Sequence, residues 1–451
     1  MRVHRVAVES LGQPRHVSLG QPAEGCKDLL SYVTIDESPA GPDRSLAASV
    51  PEVPFATSRV TGGVMATIGL SPNGEATTTS NERADVVLVG TIRGIVRLER
   101  ADSGWTAAER TLEDFQIAAL LSDQPSGTII AATLRPGGIF VSTDDGHTWS
   151  ENRLSEPGLR VFSLSAQTTS EGLTIYAGCE PVRIYKSTNL GQSWTELPGI
   201  RSSETEFWMF PTPPRYAHLK HVGSHSSDPK TLYASIEQGA LLESEDGGAS
   251  WTEVESFLTP DDRFHADVHR VVVSPSNPDH LFMPTGEGFY RSVDRAKSWE
   301  HLLRSDARIA YPDPLFVHPR KPSTLFLAGA GLFPGDWSPG PSGTANPAIL
   351  RSDDEGTTWV ETMAGLPAPI LGNLEAMSMH DSGDALMFVI ASTQGEVYSS
   401  EDEGGHWSLI ADGLPPVSKS LHFRKFLTDD ERSRVEAEIQ EELQRASATA
   451  V

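Results

Sequence analysis

Two short stretches bring four imidazoles close to carboxylates: "RYAHLKH", residues 215 to 221, and "FHADVHR", residues 264 to 270. In an extended chain side chains alternate, so His265, Asp267 and His269 share one side while Arg270 takes the other. His218 and His221 stand three apart and diverge unless the backbone bends between them. Imidazole with carboxylate suits a divalent metal with an open position, metal-free general acid/base chemistry, or plain hydrogen-bonded packing. The octapeptide "STDDGHTW", residues 142 to 149, raises the same question with its paired acids Asp144 and Asp145.

The elements that must hold these residues show in a repeat. Aligned on the final Trp, the pattern Ser-x-Asp-x-Gly-x-Thr/Ser-Trp ends at Trp149, Trp251 and Trp359. Close variants end at Trp194, where Asn189 replaces Asp, and at Trp407. A weaker copy, "SVDRAKSW", ends at Trp299, and "RADSGWTAAER" keeps only Trp105. Seven units spaced 44, 45, 57, 48, 60 and 48 residues apart fit the blades of a β-propeller, each a four-stranded sheet that cannot bury both faces alone. The fold expected is therefore all-β, a single seven-bladed ring over residues 64 to 426. Within each unit the octapeptide occupies the turn between strands three and four, where Gly allows an unusual backbone and Ser and Asp bond turn amides. Asp144 and Asp145 are then scaffold.

These octapeptides resemble the Asp box, or BNR repeat, of sialidases, sortilin-type receptors, xyloglucan hydrolases and photosystem assembly factors, over roughly residues 85 to 415. The resemblance implies that the Asp-box turns lie on the face away from the ligand-binding mouth. Specific family functions fit less well. The sialidase Phe/Tyr-Arg-Ile-Pro segment has only "VRIY", 182 to 185, as a counterpart, and the chain differs from secreted two-propeller xyloglucan hydrolases in having one ring and no recognisable export signal. It looks most similar to cytoplasmic bacterial Asp-box proteins of sialidase-like or glycosyl-hydrolase label.

On a propeller the mouth is built by the loops entering each inner strand and by the turns between strands two and three. The turn class aligns Arg93, Arg135, Glu180, Glu237, Glu287 and Gln394, and the strand entrances supply the four imidazoles with Tyr311, Asp313 and Glu375. Insertions carrying Phe207, Trp208 and Phe210, and Phe333 and Trp337, suit lids or pocket walls. The expected site uses His218, His221, His269 and Glu237 as ligands of a divalent metal ion. In its catalytic form, His218, His221, Glu237, Asp267 and Glu375 serve as bases or acids, Arg270 holds an anionic group and Tyr311 donates a hydrogen bond. The expected function is hydrolysis or elimination on a small polar molecule. A non-catalytic scaffold for a protein partner is the alternative.

Formal charge, 36 − 61 = −25, disfavours nucleic acid and anionic membrane as partners. Two cysteines, Cys26 and Cys179, and apolar runs far short of a membrane span lead to a cytoplasmic expectation. Blade one lacks an evident inner strand next to its other three. "SKSLHFRKF", 418 to 426, is expected to supply it and close the ring, with "VMATIGLSP", 64 to 72, as the rival. Residues 1 to 63 read as a disordered extension, leaving Met1 or Met65 as the start, and 427 to 451 as a helix with Thr428 and Glu431 in capping-box spacing.

Overall fold

Apolar runs such as "LMFVIAS", Leu386–Ser392, are buried along their whole length, whereas outermost strands such as Val360–Glu361 are two exposed residues. That radial gradient is what a blade needs when its inner strands are covered on both faces by neighbouring sheets. The computed structural model describes residues 66 to 449 except 75–76, 157, 202–204, 206–207, 211–215, 260–266 and 305. The readings of residues 1 to 63, Met65, Phe207 and His265 lie outside the described residues.

Seven sheets follow in chain order, making a seven-bladed β-propeller with one C-terminal helix. Inner strands of blades two to seven begin at Gln116, Arg160, His218, Val272, Tyr311 and Leu374. Cores lie between blades: Phe316 and Phe326 of blade six pack with Phe388, Ile390 and Trp407 of blade seven.

The expected C-terminal closing strand is not formed. Ala66–Leu70 is the inner strand of blade one, paired in parallel with Ala84–Thr91, and His422–Phe426 is a turn of 3-10 helix. Ala66, Ile68 and Leu70 fill a position buried on both faces, whereas in "SKSLHFRKF" Lys419 pairs with Asp313 and His422 with Glu375 at the mouth. After Leu70 the chain turns near the axis, where Asn73 N donates to Ala118 O at 3.1 Å and Leu164 N donates to Asn73 O at 3.1 Å. It then returns as Thr77–Thr79, a fifth strand parallel to the inner strand of blade seven.

The Asp boxes close the turns as the repeat predicts. In blade two, Gly146 N donates to Ser142 Oγ at 2.8 Å, Thr148 N donates to Asp144 Oδ1 at 2.8 Å, and Trp149 Nε1 donates to Gly146 O at 3.0 Å. Asp145, with φ 60°, accepts from Thr67 Oγ1 at 2.6 Å and from Arg97 Nη2 at 2.9 Å, which ties the box to the closing strand. Both acids of "STDDGHTW" are engaged in scaffold. The helix Asp429–Thr449 opens on the expected capping box: Thr428 N donates to Glu431 Oε2 at 2.9 Å and Glu431 N to Thr428 Oγ1 at 3.3 Å. Ile439 is buried and Glu438 meets Arg93 at 3.0 Å, so the helix rests on blade one.

Candidate functional site at the mouth of blades four to six

Glu237 ends the second strand of blade four, at the mouth. Its Oε2 meets His218 Nε2 at 2.8 Å and Lys220 Nζ at 3.2 Å, while its Oε1 lies 3.5 Å from the Tyr311 hydroxyl. That hydroxyl donates to Asp267 Oδ2 at 2.9 Å. His269 Nδ1 lies 2.5 Å from Pro312 O; a carbonyl only accepts, so Nδ1 carries the proton and, in the neutral ring, Nε2 presents a lone pair. Nε2 sits 3.4 Å from Asp267 Oδ1, and neither atom has a hydrogen-bond partner among the described residues. One ligand atom each from Glu237, Asp267 and His269 lies within 4.8 Å of the others, so this buried group could hold a metal ion.

His218 is buried between the rings of Phe162, stacked at 3.8 Å, and Phe210 at 4.9 Å. Burial would lower its pKa, but the carboxylates of Glu180 and Glu237 on its two nitrogens outweigh that and raise it to about 9. Glu237 shows the converse: burial disfavours its charge, yet Lys220 and then His218 hold it well below the ordinary carboxylate range. Burial and the charges of Asp267 and Glu237 push Tyr311 well above 10, so its hydroxyl remains a donor. His221 lies apart from this group. Burial and then the Arg270 charge hold it well below 6.5.

A second layer adjoins the first. Lys220 Nζ meets Asp313 Oδ2 at 2.5 Å, and Lys419 Nζ reaches the same oxygen. Glu375 does not join Glu237; it accepts from Asn373 Nδ2 at 3.1 Å, Ser418 Oγ at 3.0 Å and Lys419 N at 2.8 Å, and pairs with His422 at 2.8 Å. The segment after blade seven thus lies over the mouth. Trp337 of the blade-six insertion stacks on Phe426 at 5.6 Å.

Three of the four expected ligand residues therefore meet: Glu237 directly with His218, and Glu237 with His269 in the three-residue group. Strand alternation accounts for the fourth: His218 and Lys220, two residues apart, both reach Glu237, whereas His221, three residues from His218, does not join them. Sequence reasoning missed Lys220, Lys419 and His422 as site residues. Lys220 was legible, because it is two residues from His218 on one strand.

No family model matches the chain. A probable oligoxyloglucan-reducing end-specific xyloglucanase of Neosartorya fischeri is 21% identical over 212 residues, 43% of this chain and 24% of that protein. Xyloglucanase Xgh74A of Acetivibrio thermocellus is 28% identical over 133 residues, 27% of this chain and 15% of that protein. The chain spans less than a quarter of the length of these curated relatives. Among solved structures, the Niastella koreensis GH74 enzyme matches with a TM-score of 0.50 at 17% identity, covering 76% of this chain and 55% of that one, which supports the fold. The class is thus a seven-bladed Asp-box β-propeller. More particularly, it is a propeller related to those of the GH74 xyloglucanases. Among the described residues, no helix is long and apolar enough to cross a membrane.

Proposed function

We propose that the chain is a hydrolase acting on a small polar substrate at Glu237, Asp267 and His269, with a divalent cation bound there. One observation carries this reading: Asp267 Oδ1 and His269 Nε2 face each other at 3.4 Å as two buried atoms without a hydrogen-bond donor between them. Leaving such atoms unpaired costs about 1–3 kcal/mol each, and a cation or a hydroxyl-rich ligand would remove that cost. The outer partners also fit a ligand set. Pro312 O orients His269, Tyr311 holds the far oxygen of Asp267, and His218 holds the far oxygen of Glu237. His218 then orients Glu237 rather than binding the ion.

A metal-free reading is favoured by the relatives, both named as xyloglucanases. In it Glu237 and Asp267, with ligand atoms within 4.8 Å, act as the carboxylate pair of a glycosidase, and the substrate is a short glycoside. The two readings are separated by metal analysis of protein purified without chelator, followed by turnover assays on aryl glycosides and phosphate or carboxylate esters. Stoichiometric metal lost in Asp267→Asn supports the first. Glycoside cleavage by metal-free protein, abolished in Glu237→Gln, supports the second. Absence of metal, of turnover and of any ligand-induced stabilisation defeats both.

A further inference from the structure

The candidate site is roofed by its own chain. Glu237, Asp267, His269 and Tyr311 are buried, and the segment that follows the last propeller strand lies over the mouth. The Lys419 ammonium meets Asp313 Oδ2, the oxygen held by Lys220 at 2.5 Å, and Lys220 stands 3.2 Å from Glu237. From the other side, Phe426 shares an apolar cluster with Trp337 and Tyr311, and Tyr311 packs edge-on against His269 at 4.6 Å. A substrate cannot reach buried groups while the covering segment stays in place.

The way this segment is held suits opening. Its two ends are tied to the propeller by backbone bonds: Val417 N donates to Ser392 O at 3.3 Å, and Gly340 N donates to Lys425 O at 2.9 Å. Between them the contacts are mainly polar. Ser418 Oγ, Lys419 N and His422 meet Glu375, the Lys419 ammonium meets Asp313, and Gln116 Nε2 donates to Ser420 O at 2.6 Å. Water can replace such bonds at small net cost, whereas an inner strand opens only with the apolar cores between blades. Phe423 is the buried apolar side chain between the two ties. Ser420, with φ 44°, is held in the left-handed region that residues other than glycine seldom occupy, and lifting the segment lets it relax. Neither carboxylate is stranded by the movement, because Asn373 Nδ2 stays on Glu375 at 3.1 Å and Lys220 stays on Asp313.

We propose that residues 418 to 424 are a gate, lifting between the ties at Val417 and Lys425 to admit substrate to Glu237, Asp267 and His269. This rests on the reading of those three residues as the functional site.

Diethyl pyrocarbonate, which acylates neutral imidazole, tests it on the full chain stripped of metal. His269 Nε2 is buried without a hydrogen-bond partner among the described residues, so its labelling, read by mass spectrometry, reports opening, with the half-exposed His147 as control. Lys419→Met/His422→Leu removes the ion pairs that hold the gate to Asp313 and Glu375. In this variant His269 should label at least about tenfold faster, while His147 labelling and circular dichroism stay as in wild type. A second measurement uses the wild-type chain, so it does not depend on how the variant folds. Amide hydrogen exchange in residues 418 to 424 should run at least about 100-fold faster than in the inner-layer strand Leu386–Ser392. Unchanged His269 labelling in the folded variant, or segment amides as protected as that strand, overturns the gate. Faster labelling that zinc suppresses supports both gate and metal; faster labelling indifferent to zinc upholds the gate and counts against a metal at this site.

Discussion

His218 offers a test of the mouth network that needs no substrate. Its pKa rises from 6.5 to about 9 because, against the cost of burial, Glu180 lies 3.4 Å from its Nδ1 and Glu237 bonds its Nε2. At 1.36 kcal/mol per unit, a shift of this size corresponds to about 3 kcal/mol of stabilisation. The folded pKa lies above the unfolded one, so this contribution is complete below pH 6.5, shrinks between 6.5 and 9, and is gone above about 9. His218→Gln keeps a donor but not a titrating cation. Urea unfolding of both proteins from pH 6 to 10 should show a stability difference of about 3 kcal/mol near pH 6 that closes toward pH 10. The lowered pKa of buried Lys419 is common to both proteins and cancels in the difference. Parallel profiles, separated by a constant gap, would refute the claim that a buried imidazolium bridges the two carboxylates.

Other expectations concern the scaffold and the mouth. Asp144→Ala should lower the melting temperature modestly, by loss of the Ser142, Thr148 and backbone bonds, while any turnover per folded molecule survives; calorimetry beside activity checks it. Removing residues 1 to 63 should leave cooperative unfolding intact, whereas removal through Leu70 takes away the inner strand of blade one and should produce aggregation detectable by light scattering. Truncation before Ser418 leaves the seven sheets in place but strips Glu375 of three partners, so far-ultraviolet circular dichroism should hold while stability falls by about 3 kcal/mol or more. Tyr311→Phe should destabilise by about 1.5–3 kcal/mol through the lost bond to Asp267, and unchanged urea midpoints would contradict that geometry.

The seven blades were readable from the chain because each Asp box is a local device. Ser142, Asp144, Gly146 and Trp149 bond within eight residues, so spacing alone reports the turn, and the turn reports the blade. The mouth residues Glu237, Asp267, His269 and Tyr311 were readable for a related reason: aligned repeats place equivalent turns and strand entrances at the same end of the ring. Local pattern also reported the capping box at Thr428 and Glu431.

What the tertiary structure decided depends on contacts across long stretches of chain. Asp313 is met by Lys220 from 93 residues away and Lys419 from 106, separations that carry no periodic trace in the sequence. The strand that closes blade one could have come from either end by composition. Burial on both faces selects Ala66–Leu70 over the basic segment at 418 to 426, whose polar groups instead satisfy Glu375 and Asp313. Lys220 likewise meets Glu237 and Asp313 from two different blades, while His221 on the same strand does not join them. Sequence set which residues reach the mouth, because that follows from local repeats. Which of them touch was decided by packing, because a buried charge takes its partner from whatever strand the ring brings alongside.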